Sequence, residues 1–122
     1  MTDTVTTVDT YLAAYNETDE LTRRGLIDQA FADGGRLIDP PLDGEGRDGI
    51  SAMMAAVHQQ FPGHTFRRSS GIDEHHAHVR YGWELLDADG NVALAGMDVG
   101  LLDEAGQLVH VAGFFGPLPA LA

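Results

Sequence analysis

The chain of 122 residues is 43% hydrophobic and carries a formal net charge of -12, from 19 acidic residues against seven arginines, with no lysine and no cysteine. This length and composition suit one hydrophobic core, so we expect a single domain over residues 1–122. The missing residue types exclude disulfides, thiol catalysis and a lysine Schiff base, and the acidic charge argues against a nucleic-acid partner, because a polyanion would be repelled.

The sequence shows no sign of a membrane association. No stretch is long and apolar enough to span a bilayer, and the first ten residues, MTDTVTTVDT, lack the basic start and apolar middle of a secretion signal. We therefore expect a cytoplasmic protein without a membrane partner.

Three amphipathic helices are predicted in the first half of the chain. Apolar residues recur at helical spacing from Val5 to Tyr15, and a second helix is predicted from about Glu20 to Phe31. A short strand, RLID, follows, and Asp48 is the predicted N-cap of a third helix that Pro62 and Gly63 end. The predicted buried positions are Leu21, Leu26, Ile27 and Ala30 in the second helix and Ile50, Met53, Met54, Val57 and Phe61 in the third.

The second half of the chain is predicted to be a sheet. Four strands are predicted, HTFRRSSGI from His64, HAHVRYGWELL from His76, VALAGMDVGLL from Val92 and LVHVAGFFG from Leu108. The turns between the last three, DADGN and DEAGQ, are short and contain glycine, as antiparallel hairpins require. Helices packed on one face of such a sheet form an α+β domain, with a pocket on the concave side.

Six short motifs occur in a defined order along the chain. They are YLAAYN from Tyr11, FAD at 31–33, Asp39-Pro40 at the end of the short strand, Arg47-x-Gly49 at the third helix, Met97-Asp98 on the penultimate strand, and Phe115-Gly116 after it. In this order they resemble the ketosteroid isomerases and the related SnoaL-like polyketide cyclases of the nuclear transport factor 2-like superfamily. The resemblance implies a cone-shaped, cystatin-like fold, in which three N-terminal helices pack on a curved, mostly antiparallel sheet that encloses a pocket.

The resemblance also implies roles for three residues. Asp39 matches the general base of the isomerases, and Tyr11 and Asp98 match the two hydrogen-bond donors that hold the enolate oxygen. The sequence itself places Asp98 among apolar residues and glycines, where burial without a cation would keep the carboxyl neutral.

Each of these residues also has a structural interpretation. Asp98 could face solvent or pair with an arginine such as Arg80, Tyr11 could be a core residue, and Asp39 could simply start the turn at Pro40. The sequence leaves these alternatives open.

The walls of the pocket follow from strand alternation and helical period. The predicted lining residues are Met53, Val57, Tyr81, Trp83 and Phe115. The expected ligand is a small hydrophobic molecule with a carbonyl group. Two residues depart from the isomerase pattern: Val57 stands where that family has a tyrosine that supports the oxyanion tyrosine, and Trp83 replaces a smaller aromatic residue, which would shorten the pocket.

The histidines of EHHAH are not expected to bind a metal. His76 and His78 share a predicted strand face with Arg80 and Glu84, and no third ligand is evident near them. This mixed face predicts the interface of a homodimer instead. No cofactor is expected.

The predicted function is proton transfer beside the carbonyl of a cyclic ketone, through an enolate, with a shift of the C=C double bond. Two alternatives share the fold: a polyketide cyclase or dehydratase, whose chemistry also begins when a carboxylate removes a proton beside a carbonyl, and a binding protein without catalytic activity. The fold alone does not choose among them.

Overall fold

The computed structural model describes residues 3–122. The elements, in chain order, are α1 (Thr4–Asn16), α2 (Glu20–Ala30), β1 (Phe31–Asp39), β2 (Leu42–Glu45), α3 (Gly46–Gln60), β3 (Thr65–Arg68), β4 (Asp73–His75), β5 (His78–Leu86), β6 (Val92–Leu102) and β7 (Leu108–Phe115). Three helices pack on a curved, open sheet, which confirms the predicted α+β fold.

The sheet contains seven strands in the order β2-β1-β7-β6-β5-β3, with β4 also paired to β5. The pair β1 and β7 is parallel, and the other neighbours are antiparallel. Because β1 inserts beside the last strand, the end of β1 lies next to the centre of the sheet. The residue that ends β1 therefore lies close to residues some sixty positions or more away in sequence.

The core lies between the concave face of the sheet and the helices. Asp3 and Asp19 begin α1 and α2, since their carboxylates accept hydrogen bonds from the amides of Thr6 (2.8 Å) and Thr22 (2.9 Å). The largest fully buried side chains include Val8, Tyr11, Ile27, Phe31, Leu37, Ile50, Met54, Leu85, Leu108 and Val111. None of the helices described over residues 3–122 is long and apolar enough to cross a membrane.

Two predictions about the helices are wrong. Helix α3 begins at Gly46 with Glu45 as its N-cap, so Asp48 lies in the first turn instead of capping it. Leu21 is 84% exposed, because Arg23, Ile27 and Ala30 are the positions of α2 in phase with the core. The buried guanidinium of Arg23 donates to the hydroxyl of Ser51 and to a backbone carbonyl.

The strands also differ from the prediction in their boundaries. Strand β1 runs from Phe31 and is longer than the predicted RLID. The two glycines that precede RLID lie in an irregular part of the strand, where the register with β7 shifts. HTFRRSSGI divides into β3 and the separate strand β4, and β2 was not predicted. His76 and Ala77 have positive φ angles of 49° and 64° and form the turn before β5, so His76 does not share a strand face with His78.

Candidate active site

Four positions in one row across the sheet bring two carboxyl groups together. Tyr81 on β5 pairs with Asp98 on β6, which pairs with Gly113 on β7, and Asp39 ends β1 on the other side of β7. Gly113 provides the space, because a Cβ there would overlap Oδ1 of Asp39 and lie 3.1 Å from Oδ1 of Asp98. The two carboxyl groups therefore meet over the backbone of β7.

Asp98 is a buried carboxyl between Tyr81 and Gly113 in this row. It is 2% exposed, and its Oδ2 accepts a hydrogen bond of 2.9 Å from the Tyr81 hydroxyl. Burial raises the pKa of Asp98 to about 7; the charge of Asp39 acts in the same direction, and the hydrogen bond from Tyr81, together with the nearby Trp83 N–H and Tyr11 hydroxyl, partly opposes it. The sequence left open an ion pair between Asp98 and Arg80. It does not form, because Arg80 donates to Asp73.

Asp39 is half-buried and better suited to lose its proton. Its Oδ2 accepts a hydrogen bond of 3.1 Å from the Tyr15 hydroxyl, and Pro40 and Pro41 follow it at the cavity. Burial raises the pKa of Asp39 to about 6, although the hydrogen bond from Tyr15 lowers it. Between these two pKa values, this arrangement favours an ionised Asp39 beside a protonated Asp98.

Tyr11 and Tyr15 lie one helical turn apart on α1 and face the carboxyl groups. Tyr11 packs edge-on against Phe31, with ring centroids 5.4 Å apart, and lines the cavity near Asp98. Burial raises the pKa of both tyrosines well above the ordinary value, so both remain protonated donors. The sequence prediction assigned a role to Tyr11 and missed Tyr15, although the i, i+4 spacing in YLAAY places both on one helix face.

The carboxyl groups open onto a cavity of about 160 Å³. Its walls are Tyr11, Leu12, Tyr15, Asp39, Pro40, Pro41, Leu42, Val57, Gln60, Phe61, Phe66, Trp83, Leu85, Leu94, Asp98 and Phe115. These side chains are mostly apolar, and the acidic pair lies at one end. The cavity therefore suits a small apolar molecule with a polar group that reaches the acidic end.

Three of the five predicted lining residues, Val57, Trp83 and Phe115, do line this cavity. The other two pack in the core behind it. The Tyr81 hydroxyl donates to Asp98, and Met53 lies one turn before Val57 on α3, where its side chain is buried in the core. Periodicity identified the inward faces of these elements, but it did not say which inward residues reach the open space.

The histidine hairpin between β4 and β5 lies away from this cavity. His75 and His76 contact each other through their Nδ1 atoms at 3.1 Å, and Nδ1 of His78 lies 2.9 Å from the carbonyl oxygen of His76. Over residues 3–122, no group of three or more histidine, aspartate or glutamate side chains could hold a metal ion.

Solved structures provide the comparison with known proteins. The chain is 41% identical to a candidate isomerase of the SnoaL-like family from Agrobacterium tumefaciens, with a TM-score of 0.88 over 96% of this chain and 100% of that one. An NTF2-like protein from Exiguobacterium is 22% identical, with a TM-score of 0.71 over 92% and 99% of the two chains. A candidate SnoaL-like polyketide cyclase from Jannaschia is 17% identical, with a TM-score of 0.66 over 89% and 84%. No protein-family model matches the sequence, and no curated protein matches it.

Proposed function

The chain belongs to the SnoaL-like family of NTF2-like proteins, and from its acidic cavity we propose that it is an isomerase acting on a small hydrophobic cyclic ketone. The observation that carries this proposal is the carboxyl pair over Gly113, in which Asp39 and Asp98 have different environments. Two neighbouring carboxyl groups with different pKa values can supply a base and an acid at the same pH. The 41% identical relative, itself a candidate isomerase, supports the same reaction class.

In the proposed reaction, the carboxylate of Asp39 removes a proton from the carbon beside the carbonyl. The negative charge that develops on the ketone oxygen is held by hydrogen bonds from the Tyr11 hydroxyl and from protonated Asp98. Asp39 then returns the proton to a different carbon, and the C=C double bond moves into conjugation with the carbonyl. The apolar walls limit the water that could compete for the proton or weaken these hydrogen bonds.

Two further tyrosines position the carboxyl groups in this scheme. Tyr15 donates to Asp39 and Tyr81 donates to Asp98, so each carboxyl is held on one oxygen and presents the other toward Gly113. This support fixes the direction of both groups, and catalytic geometry depends strongly on such orientation.

The direct test is the isomerisation of a β,γ-unsaturated cyclic ketone, such as cyclohex-3-enone, followed by the ultraviolet absorbance of the conjugated product. Asp39→Asn should lower kcat by about 10²- to 10⁴-fold, the usual contribution of a positioned general base, and should leave ligand binding largely intact. Asp43→Asn is the matched control, because Asp43 is an exposed carboxylate outside the cavity that pairs with Arg36. Its activity should equal that of the wild type.

A polyketide cyclase is the second candidate, and the SnoaL-like cyclase neighbour favours it. Cyclisation also begins with proton removal beside a carbonyl, so Asp39 would keep its role. If the wild type binds cyclic ketones but isomerises none faster than buffer, the isomerase proposal fails. Condensation of a linear polyketone, which Asp39→Asn should then abolish, would support the cyclase; the absence of both reactions would leave a binding protein.

A further inference from the structure

Trp83, the one tryptophan of the chain, has its ring fixed in the cavity wall beside Asp98. Gly96, its partner on β6, leaves space for the indole, since a Cβ there would lie 2.5 Å from Cζ2 of Trp83. Phe66 and Phe115 pack edge-on against the ring, with centroid distances of 5.5 and 5.9 Å. The fold therefore sets the direction in which the indole N–H points.

That N–H is buried, and Nε1 of Trp83 has no hydrogen-bond partner among residues 3–122. The side chain is only 4% exposed. A buried donor without a partner costs about 1–3 kcal/mol, and most buried donors in folded proteins are paired. An exception in the wall of a cavity points to an acceptor that arrives with the ligand.

The surroundings of Trp83 indicate where this acceptor would bind. The indole N–H and the Tyr11 hydroxyl lie close enough to the Asp98 carboxyl to lower its pKa. The hydrogen bond that Asp98 accepts, at 2.9 Å, comes from Tyr81 instead. A ligand oxygen placed against Asp98 would therefore lie near three donors, namely the neutral carboxyl itself, Tyr11 and Trp83.

We propose that Nε1 of Trp83 donates a third hydrogen bond to the ligand oxygen at the Asp98 end of the cavity, and that it makes the site prefer an oxyanion to a neutral carbonyl. This inference rests on the proposed function, because it concerns the same oxygen. A neutral carbonyl has two lone pairs and is satisfied by two donors, whereas a charged oxygen attracts all three. A third donor thus adds more to the binding of an enolate or phenolate than to the binding of a ketone.

The single tryptophan allows a test that changes one atom. Growth of a tryptophan auxotroph on benzothienylalanine replaces the N–H by sulfur at position 83 alone and nearly preserves the shape of the ring. The probes are 4-nitrophenol, whose bound phenolate is detected by its visible absorbance, and nitrobenzene, which has the same nitro group but lacks the phenol oxygen. We expect the replacement to weaken 4-nitrophenolate binding by about 10- to 100-fold, the range for a hydrogen bond to a charged group, and nitrobenzene binding by less than about twofold.

A structural role for the indole would not produce this difference between ligands. Phe66→Leu is the matched control, because it trims the ring that packs on Trp83 and leaves the donor in place. It should weaken both ligands by the same factor. In the ¹⁵N-labelled wild type, the single indole N–H resonance should move downfield when 4-nitrophenol is added and should respond much less to nitrobenzene.

The outcomes separate this inference from the proposed function. If the wild type prefers 4-nitrophenolate but the sulfur analogue keeps that preference, or if the indole resonance responds equally to both probes, Trp83 is not the third donor and the isomerase proposal is unaffected. If the wild type does not prefer 4-nitrophenolate to nitrobenzene, then Asp98, Tyr11 and Trp83 do not form an oxyanion site. Both proposals are then wrong.

Discussion

At the scale of single residues, the two carboxyl groups differ because their surroundings differ. Asp98 is enclosed by the sheet and the helices, whereas Asp39 ends its strand at the rim of the cavity. Desolvation is the main cause that raises the pKa of each, to about 7 and about 6, and each keeps one tyrosine donor that acts in the opposite direction. The activity that needs Asp39 ionised and Asp98 protonated should therefore have a narrow optimum between these values.

The hydrogen bonds from Tyr15 to Asp39 and from Tyr81 to Asp98 should each affect one limb of the pH profile of kcat/KM. Tyr15→Phe removes the hydrogen bond that lowers the pKa of Asp39, so the acidic limb of the kcat/KM profile should move to higher pH. Tyr81→Phe removes the corresponding hydrogen bond to Asp98, so the alkaline limb should move to higher pH instead. At the wild-type optimum, Tyr15→Phe should lower kcat/KM by about 10- to 100-fold, as expected for the loss of one hydrogen bond to a charged group. A profile in which either variant moves both limbs together would contradict the assignment of one tyrosine to each carboxyl.

The sequence predicted some of these residues and not others, for physical reasons. The ordered motifs predicted roles for Tyr11, Asp39 and Asp98, and all three line one cavity in the structure. Tyr15 was missed because a buried tyrosine at helical spacing is indistinguishable from a core residue until its acceptor is located. That acceptor, Asp39, is 24 positions away in sequence, and only the insertion of β1 beside β7 brings it near.

At the scale of elements, β7 is the strand on which the site depends. It lies between the strands that carry Asp39 and Asp98, and Gly113 at the crossing point has no side chain to separate them. In the next row toward the core, the side chains are apolar, and a Cβ at Gly100 would lie 3.1 Å from Cγ2 of Val79 and 3.3 Å from Cδ2 of Leu108, close but without the overlap found at Gly113. A glycine in a strand interior costs stability, so its presence at position 113 is consistent with a close approach of other groups.

Gly113→Ala tests this dependence. The added methyl group would collide with Asp39 and touch Asp98, so the carboxyl groups must move apart. A displacement of about 1 Å is enough to lower turnover by about 10²-fold. Gly100→Ala is the control in the neighbouring row, where the new methyl group crowds Val79, Leu108 and the carbonyl of His110 and does not touch a carboxyl group; it should lower thermal stability without an equal loss of activity. Equal activity losses in the two variants at matched stability would mean that Gly113 is only a packing position.

The element boundaries show where periodicity reaches its limit. The order of helices and long strands was predicted because apolar spacing extends over many residues in each. Strand β2 was missed because four residues, LDGE, are too few to show a period, and the same omission misplaced the N-cap of α3 at Asp48. Leu21 was assigned to the core on hydrophobicity, while the buried arginine at position 23 shows that helical phase mattered more.

At the scale of the whole molecule, we propose that the outer face of the sheet is a homodimer interface. On this side, opposite to Asp98, Met97, Val99 and Phe114 are exposed by 38% to 58%. A contiguous apolar surface on a chain of net charge -12 is a candidate interface. The same face carries His78, Arg80 and Glu84 along β5, and the charged groups there are paired, Arg80 with Asp73 and Glu84 with Arg67. A second copy can therefore approach along β5 without bringing unpaired acidic groups together.

Light scattering at micromolar concentration should therefore give the mass of a dimer, about twice the 13.1 kDa of one chain. Phe114→Glu places a charge at the centre of the apolar surface and should produce a monomer. Val92→Glu is the control, because Val92 is similarly exposed at a strand end beside a hairpin and should leave the dimer intact. A monomeric wild type would end this proposal.

The buried carboxyl at the centre of the fold should also make the stability of the molecule depend on pH. In the folded protein the pKa of Asp98 is about 7, above the ordinary value of 3.8. A group of this kind contributes stability below its unfolded pKa, and that contribution is lost as the pH rises through its folded pKa. Asp98→Asn keeps the shape and an acceptor for the Tyr81 hydroxyl, and it removes the cost of burying a charge. At pH 8 it should raise the free energy of unfolding by about 2–4 kcal/mol.

The difference in unfolding free energy between Asp98→Asn and the wild type is measured at two pH values. Charge repulsion within the acidic chain is nearly the same in the two proteins, so a change in this difference with pH reports on Asp98. The gain from Asp98→Asn should disappear near pH 4, where the aspartate is neutral in the folded state. Asp43→Asn is the control with the opposite sign: the hydrogen bond from Arg36 lowers the pKa of Asp43 below its ordinary value of 3.8, so this variant should lose stability at pH 8 and keep most of that loss near pH 4. Urea unfolding at both pH values measures these differences. If Asp98→Asn is no more stable than the wild type at pH 8, the carboxyl does not carry the cost of burial on which its role as a neutral donor depends.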